Sequence, residues 1–160
     1  MDRLWAPWRQ VYLADPKKSE GCILCDYPKR DDAREALVLT SDETTFVILN
    51  RYPYNNAHLM VVPRIHTGDY STLAAATRAA LAEVVERSIR VIAAAYKPDG
   101  FNVGMNLGAA GGAGIAGHLH WHVVPRWNGD TNFMSTCADA KVMGEHLFAT
   151  YDKLRPGFAA

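Results

Sequence analysis

The sequence lacks the features that mark membrane-spanning and secreted proteins. Its longest apolar stretches, such as HLMVVP at residues 58–63, fall far short of the roughly 20 residues that a membrane-spanning helix requires. The opening residues MDRLWAPWRQ contain no apolar core of the signal-peptide type. Cysteine is scarce as well, and three cysteines, an odd number, do not form a disulfide framework. We therefore expect a cytoplasmic protein that has no membrane partner.

A second absence is an excess of charge of either sign. The chain carries 17 lysine and arginine residues and 17 aspartate and glutamate residues. Proteins that bind duplex nucleic acid release counterions through clustered basic side chains, and this composition supplies no such excess. The 160 residues, of which 49% are hydrophobic and 21% charged, are enough for one well-buried core. These properties predict a single globular domain over residues 1–160 and argue against nucleic acid as the main partner.

The pattern of apolar residues predicts a sheet joined mostly by hairpins, with two helices. Apolar segments bounded by turn residues predict strands at residues 36–40, 44–50, 58–63, 101–108 and 118–124. Helical spacing extends from residue 71 to 96, where KPDG ends the helix, and returns at residues 139–155. Residues 1–30 are rich in turn formers and tryptophan. This order is typical of an α+β domain built on an antiparallel sheet.

Histidine is concentrated in one segment, GHLHWHVVPRW at residues 117–127. Three of the six histidines, His118, His120 and His122, occupy alternate positions there. In an extended strand such residues share one face, and neighbours on that face are about 6.5 Å apart. The outer two are then about 13 Å apart, whereas zinc binds its ligands at about 2 Å. No single metal ion can bind all three from one strand, so the three imidazoles need at least two roles.

A metal site is one of these roles. Cys22 and Cys25 have the C-x-x-C spacing that lets two thiolates bind one tetrahedral ion. His66 and His118 complete a Cys2His2 set, which fills every coordination position and predicts one structural zinc ion per chain. Three alternatives remain open. They are a thioredoxin-like redox pair, which lacks a surrounding βαβ pattern, two cysteines buried as small apolar residues, and a nucleic-acid zinc finger, which the neutral charge disfavours.

A nucleophile is the other role, and His120 is the candidate. An imidazole near its ordinary pKa of about 6.5 is largely neutral at cytoplasmic pH and attacks phosphorus or carbon without a separate base. The preceding segment NLGAAGGAG, residues 106–114, lets backbone N–H groups converge on an anion. It matches neither the P-loop pattern nor a dinucleotide fingerprint. The alternative is a histidine held in the core by hydrogen bonds, but the adjacent glycine segment favours a phosphate site beside a nucleophile.

The segment HLHWHVV resembles the motif His-φ-His-φ-His-φ-φ, which defines the histidine triad (HIT) superfamily of nucleotide hydrolases and transferases. LNRYPYNNAHLMVVPRIH is similar to the first half of the family's domain. LWAPWR and PRWNGDTNF resemble bacterial diadenosine polyphosphate hydrolases and phosphorylases of this family, and the likeness covers about residues 5–146. The resemblance implies a five-stranded antiparallel sheet with two helices. It also implies a homodimer in which two chains form one ten-stranded sheet.

The resemblance implies a role for each candidate residue. His120 would attack the α-phosphate of a nucleotide and carry it as a covalent phospho-histidine, while His122 would hydrogen-bond the phosphate or the bridging oxygen. His118 would join Cys22, Cys25 and His66 on zinc, as in the members that carry C-x-x-C. The nucleotide-binding residues would be Asn50 for the ribose hydroxyls and, for the phosphate, Asn106 and the backbone of Gly112, Ala113 and Gly114.

Three positions distinguish this chain within the family it resembles. Many members place Ser or Thr where this chain has Gly114, so any help to the phosphate must come from the N–H of that residue. The nucleoside phosphoramidase branch tends to carry Asp at the position of Asn50, and Asn there is similar to the dinucleoside polyphosphate hydrolase branch. The hexose-1-phosphate uridylyltransferase branch has Gln in place of His122, which argues against that activity.

We therefore expect an enzyme that cleaves dinucleoside polyphosphates of the diadenosine tetraphosphate type at the α-phosphate. The reaction would pass through a nucleotidyl-histidine, with water or phosphate as the acceptor. The alternatives are hydrolysis of the P–N bond in nucleoside phosphoramidates and a non-catalytic nucleotide-binding protein. His58 either orients the site or has only a structural role. Trp127, Asp130 and Asn132 follow the triplet and are candidates for contacts with the second half of a long substrate, although ordinary packing equally explains Trp127.

Overall fold

The computed structural model describes residues 21–131 and 143–159, which fold into an antiparallel sheet with helices packed on it. Within these residues the sheet has five strands in the order β1-β2-β3-β5-β4, and each neighbouring pair is antiparallel. The strands are β1 (Val38–Ser41), β2 (Thr45–Leu49), β3 (Leu59–Pro63), β4 (Gly100–Gly104) and β5 (Trp121–Arg126). The helices are α1 (Ile23–Asp26), α2 (Ala75–Tyr96) and α3 (Leu147–Phe158), with 3-10 turns at Tyr27–Lys29 and Tyr70–Thr72. The predicted α+β class and five-stranded sheet are confirmed.

The core lies between the middle of the sheet and the two long helices. Every residue of β2 and β3 is buried, as their apolar and β-branched composition predicts. Helix α2 contacts β2, β3 and β5, and α3 contacts β1 and α2. The buried side chains of α2 follow helical spacing at Leu81, Ser88 and Ile92. Lys97 adopts a left-handed conformation with φ 47° and ends α2 within KPDG, as predicted.

Alternate residues of β3 and β5 divide between the two faces of the sheet. Leu59 and Val123 pair across the strands, and both have 0% of their surface exposed within the core. Met60 and His122 form the adjacent pair and line a cavity on the opposite face. Of the histidine triplet only His122 lies within β5, so the predicted alternation is seen there for His122 and Val123 and not for all three histidines. One face of the sheet builds the core, and the other carries His122 and borders the cavity.

Several predicted boundaries differ from the structure. Strand β5 begins at Trp121 rather than at residue 118, because the N–H of Leu119 donates to the carbonyl of Thr67 in a loop, at 2.8 Å. Helix α3 begins at Leu147 rather than at residue 139, and His146 caps it by accepting the N–H of Phe148 through Nδ1, at 3.2 Å. Helix α2 begins at Ala75 rather than at residue 71, after the 3-10 turn. Strand β4 ends at Gly104 rather than at residue 108.

Some predictions fall outside the described residues. These include LWAPWR near the start of the chain, Asn132, and the first part of the helix predicted from residue 139. Among the residues that the structure does describe, no helix combines the length and the apolar character needed to cross a membrane.

Candidate active site and metal centre

Four predicted metal ligands meet at one corner of the domain. The ligand atoms of Cys22, Cys25, His66 and His118 all lie within 4.8 Å of one another. Cys22 precedes the single-turn helix α1 and Cys25 lies within it, so the two thiols point in the same direction. His66 follows β3, and His118 precedes β5. The structure therefore brings together three segments of the chain, and the outermost ligands, Cys22 and His118, are 96 positions apart in sequence.

The distances within this cluster fit a tetrahedral zinc ion. Zinc–sulfur bonds of about 2.3 Å and zinc–nitrogen bonds of about 2.05 Å place S and N ligands about 3.6 Å apart and two N ligands about 3.3 Å apart. Here the Nδ1 atoms of His66 and His118 are 3.3 Å apart. The sulfur-to-Nδ1 distances are 3.4 Å for Cys22 to His118, 3.5 Å for Cys25 to His118 and 3.3 Å for Cys25 to His66. Four of the six distances between ligand atoms therefore agree with a tetrahedral zinc ion, and the residues present fit the metal.

The tautomer of His118 prepares it as a ligand. Its Nε2–H donates to the carbonyl of Pro63 at 2.8 Å, which leaves the lone pair of Nδ1 directed at the cluster. Burial lowers the pKa of His118, with the carbonyl hydrogen bond of Pro63 opposing the shift, so the ring is neutral at pH 7. A neutral imidazole with one bare nitrogen is the form that binds zinc.

A close backbone approach holds the two histidine segments together. A Cβ atom at Gly68 would lie 2.4 Å from the carbonyl oxygen of Ala116, so no other residue fits there without a shift of the backbone. The N–H of Leu119 donates to the carbonyl of Thr67 beside this contact. The loop after β3 and the segment before β5 therefore lie against each other, which places His66 next to His118.

His120, the predicted nucleophile, is held as a neutral imidazole. Its Nδ1–H donates to the carbonyl of His118 at 2.8 Å, which leaves the lone pair on Nε2. The ring is only 5% exposed, and this burial lowers its pKa against the opposing effect of the carbonyl hydrogen bond. His120 lines a cavity of about 750 Å³, which also contacts Asn50, Met60 and His122. The group that fixes this tautomer is the carbonyl of His118, which the sequence alone does not reveal.

A second set of hydrogen bonds orients His122. The backbone N–H of Tyr54 donates to Nδ1 of His58 at 3.0 Å, so a neutral His58 carries its proton on Nε2. That Nε2 lies 2.9 Å from Nδ1 of His122, which must therefore accept. A neutral His122 then carries its own proton on Nε2 and acts as a donor. The ring of Tyr54 stacks on His58, with centroids 4.9 Å apart and planes 16° apart. This stacking supports the hydrogen-bonded pair of His58 and His122, which we call the relay.

Asn50 lies at the end of β2 beside this relay. Its backbone N–H donates to the carbonyl of His58 at 2.9 Å, and its side-chain Oδ1 accepts the N–H of Tyr52 at 2.9 Å. These bonds fix the amide orientation and make Nδ2 a donor. It lies 3.5 Å from Nε2 of His58, which also carries a proton, so the two groups do not hydrogen-bond. Asn50 lines the same cavity as His120. Its placement agrees with a residue that contacts a ribose hydroxyl.

The glycine-rich loop borders the cavity but uses part of its own donors. Gly112 has φ +84°, and its N–H donates to the carbonyl of Ala109 at 3.0 Å. The N–H of Ala113 donates to the carbonyl of Gly108 at 3.2 Å, and the side chain of Asn106 donates to the carbonyl of Gly112 at 3.3 Å. Two of the three predicted backbone donors are therefore engaged within the loop. Asn106, Gly112 and Gly114 line the cavity.

Asp130, a candidate for contacts with the second half of a long substrate, is bound within the protein. Its carboxylate accepts from the Nε and Nη2 of Arg126 at 2.6 and 2.8 Å and from Nδ2 of Asn55 at 2.8 Å. The Arg126 guanidinium holds the pKa of this carboxyl well below its usual range, and the side chain is only 7% exposed. Asp130 thus ties the turn after β5 to the loop before β3. No spacing in the sequence links Asn55 to Asp130, so this cluster was missed.

Comparison with known proteins identifies the family. The family model of the HIT domain matches residues 32–129. This chain belongs to the HIT family. It is 40% identical over 155 residues to the AP-4-A phosphorylase of Mycobacterium tuberculosis, an alignment that covers 92% of this chain and 79% of that protein. The HIT resemblance that the histidine triplet indicated is confirmed.

Solved HIT structures have the same fold. A Zn-bound histidine triad family protein from Mycobacterium smegmatis has a TM-score of 0.69 and 28% identity, with 87% of this chain and 94% of that chain covered. A hypothetical histidine triad nucleotide-binding protein from Sulfolobus tokodaii has a TM-score of 0.68 and 28% identity, with 86% and 91% covered. The five-stranded sheet with its packed helices is therefore the HIT fold.

Proposed function

We propose that this HIT-family enzyme cleaves dinucleoside polyphosphates of the diadenosine tetraphosphate type at the α-phosphate. One observation carries the proposal. His120 is neutral, buried and fixed as the tautomer whose Nε2 lone pair is available to a phosphorus atom in the cavity. The similarity to an AP-4-A phosphorylase over most of both chains supports the substrate class. Water or inorganic phosphate serves as the final acceptor.

The chemistry proceeds in two balanced steps. In the first, Nε2 of His120 bonds to the α-phosphorus, the P–O bond to the leaving nucleotide breaks, and its electron pair goes to the leaving oxygen. The Nε2–H of His122 donates a hydrogen bond to that oxygen or to the phosphate. In the second step, an oxygen of water or phosphate bonds to the phosphorus, the P–N bond breaks, and its electron pair returns to His120; when water is the acceptor, one proton of that water is released to solvent. The carbonyl of His118 stabilises the positive charge that the ring carries between the steps.

We propose that the Cys2His2 cluster holds one structural zinc ion per chain. The ligand distances fit tetrahedral zinc, and a solved HIT structure from Mycobacterium smegmatis is Zn-bound. Four protein ligands fill the coordination sphere and leave no position for substrate or water, so zinc would stabilise this corner and orient His118. Cys22 and Cys25 are not joined in a disulfide, as thiolate ligands of zinc require, and we propose the cytoplasm as the compartment because it keeps thiols reduced.

We also propose that two chains pair through β4 to form a ten-stranded sheet. β4 is at one end of the strand order, and Asn102 and Val103 in its middle are exposed, the latter by 41%. An exposed edge strand presents unpaired N–H and C=O groups that a second copy can satisfy. Analytical ultracentrifugation that finds a monomer at micromolar concentration would contradict this proposal.

The function is tested by product analysis with diadenosine tetraphosphate. Hydrolysis gives AMP and ATP, whereas phosphorolysis gives ADP and ATP and requires added phosphate. We expect His120→Ala to lose at least about 10⁴-fold in kcat while its folding and its affinity for AMP are retained. His146→Asn, which keeps a capping side chain at α3, is the matched control and should retain full activity.

The alternatives predict different results in the same assay. Mass spectrometry of wild-type protein quenched during turnover should show a chain heavier by one adenylyl group, and this species should be missing from His120→Ala. Cleavage of an adenosine phosphoramidate without cleavage of diadenosine tetraphosphate would favour P–N bond hydrolysis. Binding of nucleotides with no turnover and no trapped intermediate would identify a non-catalytic nucleotide-binding protein and overturn the proposal.

A further inference from the structure

A second cavity adjoins the one that contains His120. Its volume is about 520 Å³, within the range of about 300–1,000 Å³ that is typical of small-ligand sites. Tyr54, Asn106 and His122 line both cavities, so the two meet at His122. His120 lines only the first. A ligand that spans both cavities therefore passes His122 at the point where a leaving group departs from a phosphorus bound near His120.

Strand β4 lines the second cavity and has a glycine, Gly104, next to His122. Gly104 of β4 pairs with His122 of β5, and Asn102 pairs with Val124 one step further along. A Cβ atom at Gly104 would meet no atom within 4 Å, so the space above this residue is open. Strands are about 4.8 Å apart, which makes Gly104 an immediate neighbour of His122. The missing side chain creates the room beside the proposed leaving-group donor.

The polar groups of this cavity suit an uncharged ligand. The guanidinium of Arg126 is neutralised by Asp130, and its Nη1 donates to Oδ1 of Asn102 at 2.7 Å. Because Oδ1 of Asn102 is engaged, its NH2 group is the part that offers hydrogen bonds to a ligand. Val124 and Met105 add apolar wall. A neutralised cation, an amide donor and apolar walls fit the base and ribose of a nucleoside better than additional phosphates.

We propose that this cavity binds the second nucleoside of a dinucleoside polyphosphate, on the leaving side of the scissile bond. The inference rests on the proposed function, since it assigns the other half of that substrate. It differs from the sequence analysis, in which Trp127, Asp130 and Asn132 are the candidates for contacts with the second half. Asp130 instead neutralises Arg126 and fixes the amide of Asn102 through it. Asn102 and Gly104 become the specificity-determining residues.

The test fills the cavity at Gly104. Gly104→Leu is expected to raise the KM for diadenosine tetraphosphate at least about tenfold, because the new side chain occupies the space of the second nucleoside. AMP and adenosine tetraphosphate, which lack that nucleoside, serve as competitive inhibitors, and their inhibition constants should change less than twofold by this reasoning. Asn102→Ala should raise the same KM roughly fivefold through the loss of one hydrogen bond.

Gly100→Leu is the matched control. Gly100 lies on the same strand and the same face as Gly104, and a Cβ atom there also meets nothing within 4 Å, but it does not line the cavity. This variant should keep the wild-type KM, and sedimentation should show the same assembly for both leucine variants. An unchanged KM in Gly104→Leu, or an equal weakening of AMP, overturns the inference. Wild-type protein that fails to cleave diadenosine tetraphosphate at all overturns the proposed function instead.

Discussion

Two neighbouring histidines have opposite tautomers in two parts of the site. We call the cluster of Cys22, Cys25, His66 and His118 the metal corner, and the candidate catalytic pair His120 and His122 the catalytic row. His118 keeps its proton on Nε2, because the carbonyl of Pro63 accepts it, and offers Nδ1 to the metal cluster. His120 keeps its proton on Nδ1, because the carbonyl of His118 accepts it, and offers Nε2 to the cavity. The two rings are two residues apart in the same extended segment. A backbone carbonyl, rather than the imidazole itself, decides which nitrogen each ring presents.

This difference shows how one triplet serves two sites without mixing them. The metal corner is closed, since four ligand atoms converge on one position, which is where the proposed zinc ion would bind. The catalytic row is open on one side, since each ring there uses one nitrogen for orientation and presents the other to the cavity. His118 belongs to both regions, with its side chain in the first and its carbonyl in the second. A substitution in the metal corner should therefore also change the orientation of His120 and lower kcat.

The largest effect is expected from loss of a metal ligand. Cys22→Ser should abolish stoichiometric zinc binding and lower the melting temperature by about 10 °C, because the corner that zinc cross-links opens. Elemental analysis of the purified protein and thermal unfolding measure the two quantities. The kcat should also fall, because the carbonyl of His118 no longer holds the ring of His120.

Cys137→Ser is the matched control for this prediction. Cys137 is the third cysteine of the sequence and lies outside the described residues. The substitution should leave zinc content and melting temperature at their wild-type values. If Cys22→Ser loses zinc yet retains full kcat, the two regions are independent, and the connection through His118 is wrong.

The next effect concerns the relay that orients His122. His58→Ala should lower kcat about 10- to 100-fold with little change in KM, because His122 loses the hydrogen bond that fixes its tautomer. His58→Gln keeps an N–H donor near the position of Nε2 and should recover part of the loss. Steady-state kinetics of both variants distinguishes a positioning role from a structural one. Equal losses in the two variants, with lowered melting temperatures, would assign His58 to stability alone.

Much of both regions could be predicted from the sequence, because the signals there are local. The C-x-x-C spacing and the alternation of the triplet depend on a few neighbouring residues, and the helical stripe of α2 repeats over 22 residues. The boundaries failed where a distant partner intervenes. β5 starts late because Leu119 pairs with Thr67 in a loop, and no property of the triplet itself reveals that contact.

The tautomers could not be predicted for the same reason. The acceptor for His118 is the carbonyl of Pro63, which is 55 positions away, and the partner of His122 is His58, which is 64 positions away. Both contacts depend on the register between β3 and β5, which alternating patterns do not specify beyond the choice of face. The sequence suggested the candidate metal ligands and the candidate nucleophile, whereas the hydrogen bonds that orient them depend on the fold.

A smaller effect is expected at the ribose position. Asn50→Ala should raise the KM for diadenosine tetraphosphate about fivefold and leave kcat nearly unchanged, because one hydrogen bond to the ribose is lost. Asn50→Asp preserves the acceptor for the N–H of Tyr52 and can accept from ribose hydroxyls, so its KM should stay near that of the wild type. A large fall in kcat for Asn50→Ala would instead place the residue in the relay with His58.

The smallest expected effect is a rise in kcat/KM. It tests whether the site around the catalytic row already has all the hydrogen-bond donors that the phosphate can use. The N–H groups of Gly112 and Ala113 donate to carbonyls within the loop, so they add little to the binding of a phosphate at this loop. Gly114→Ser adds a hydroxyl donor beside the cavity, and kcat/KM should rise about two- to tenfold. Gly114→Ala adds the same Cβ atom without the hydroxyl and should bring no gain. If the serine and alanine variants have the same kcat/KM, the loop already supplies all the donors that the phosphate uses. The catalytic row would then lack no ligand group, like the metal corner with its four ligands.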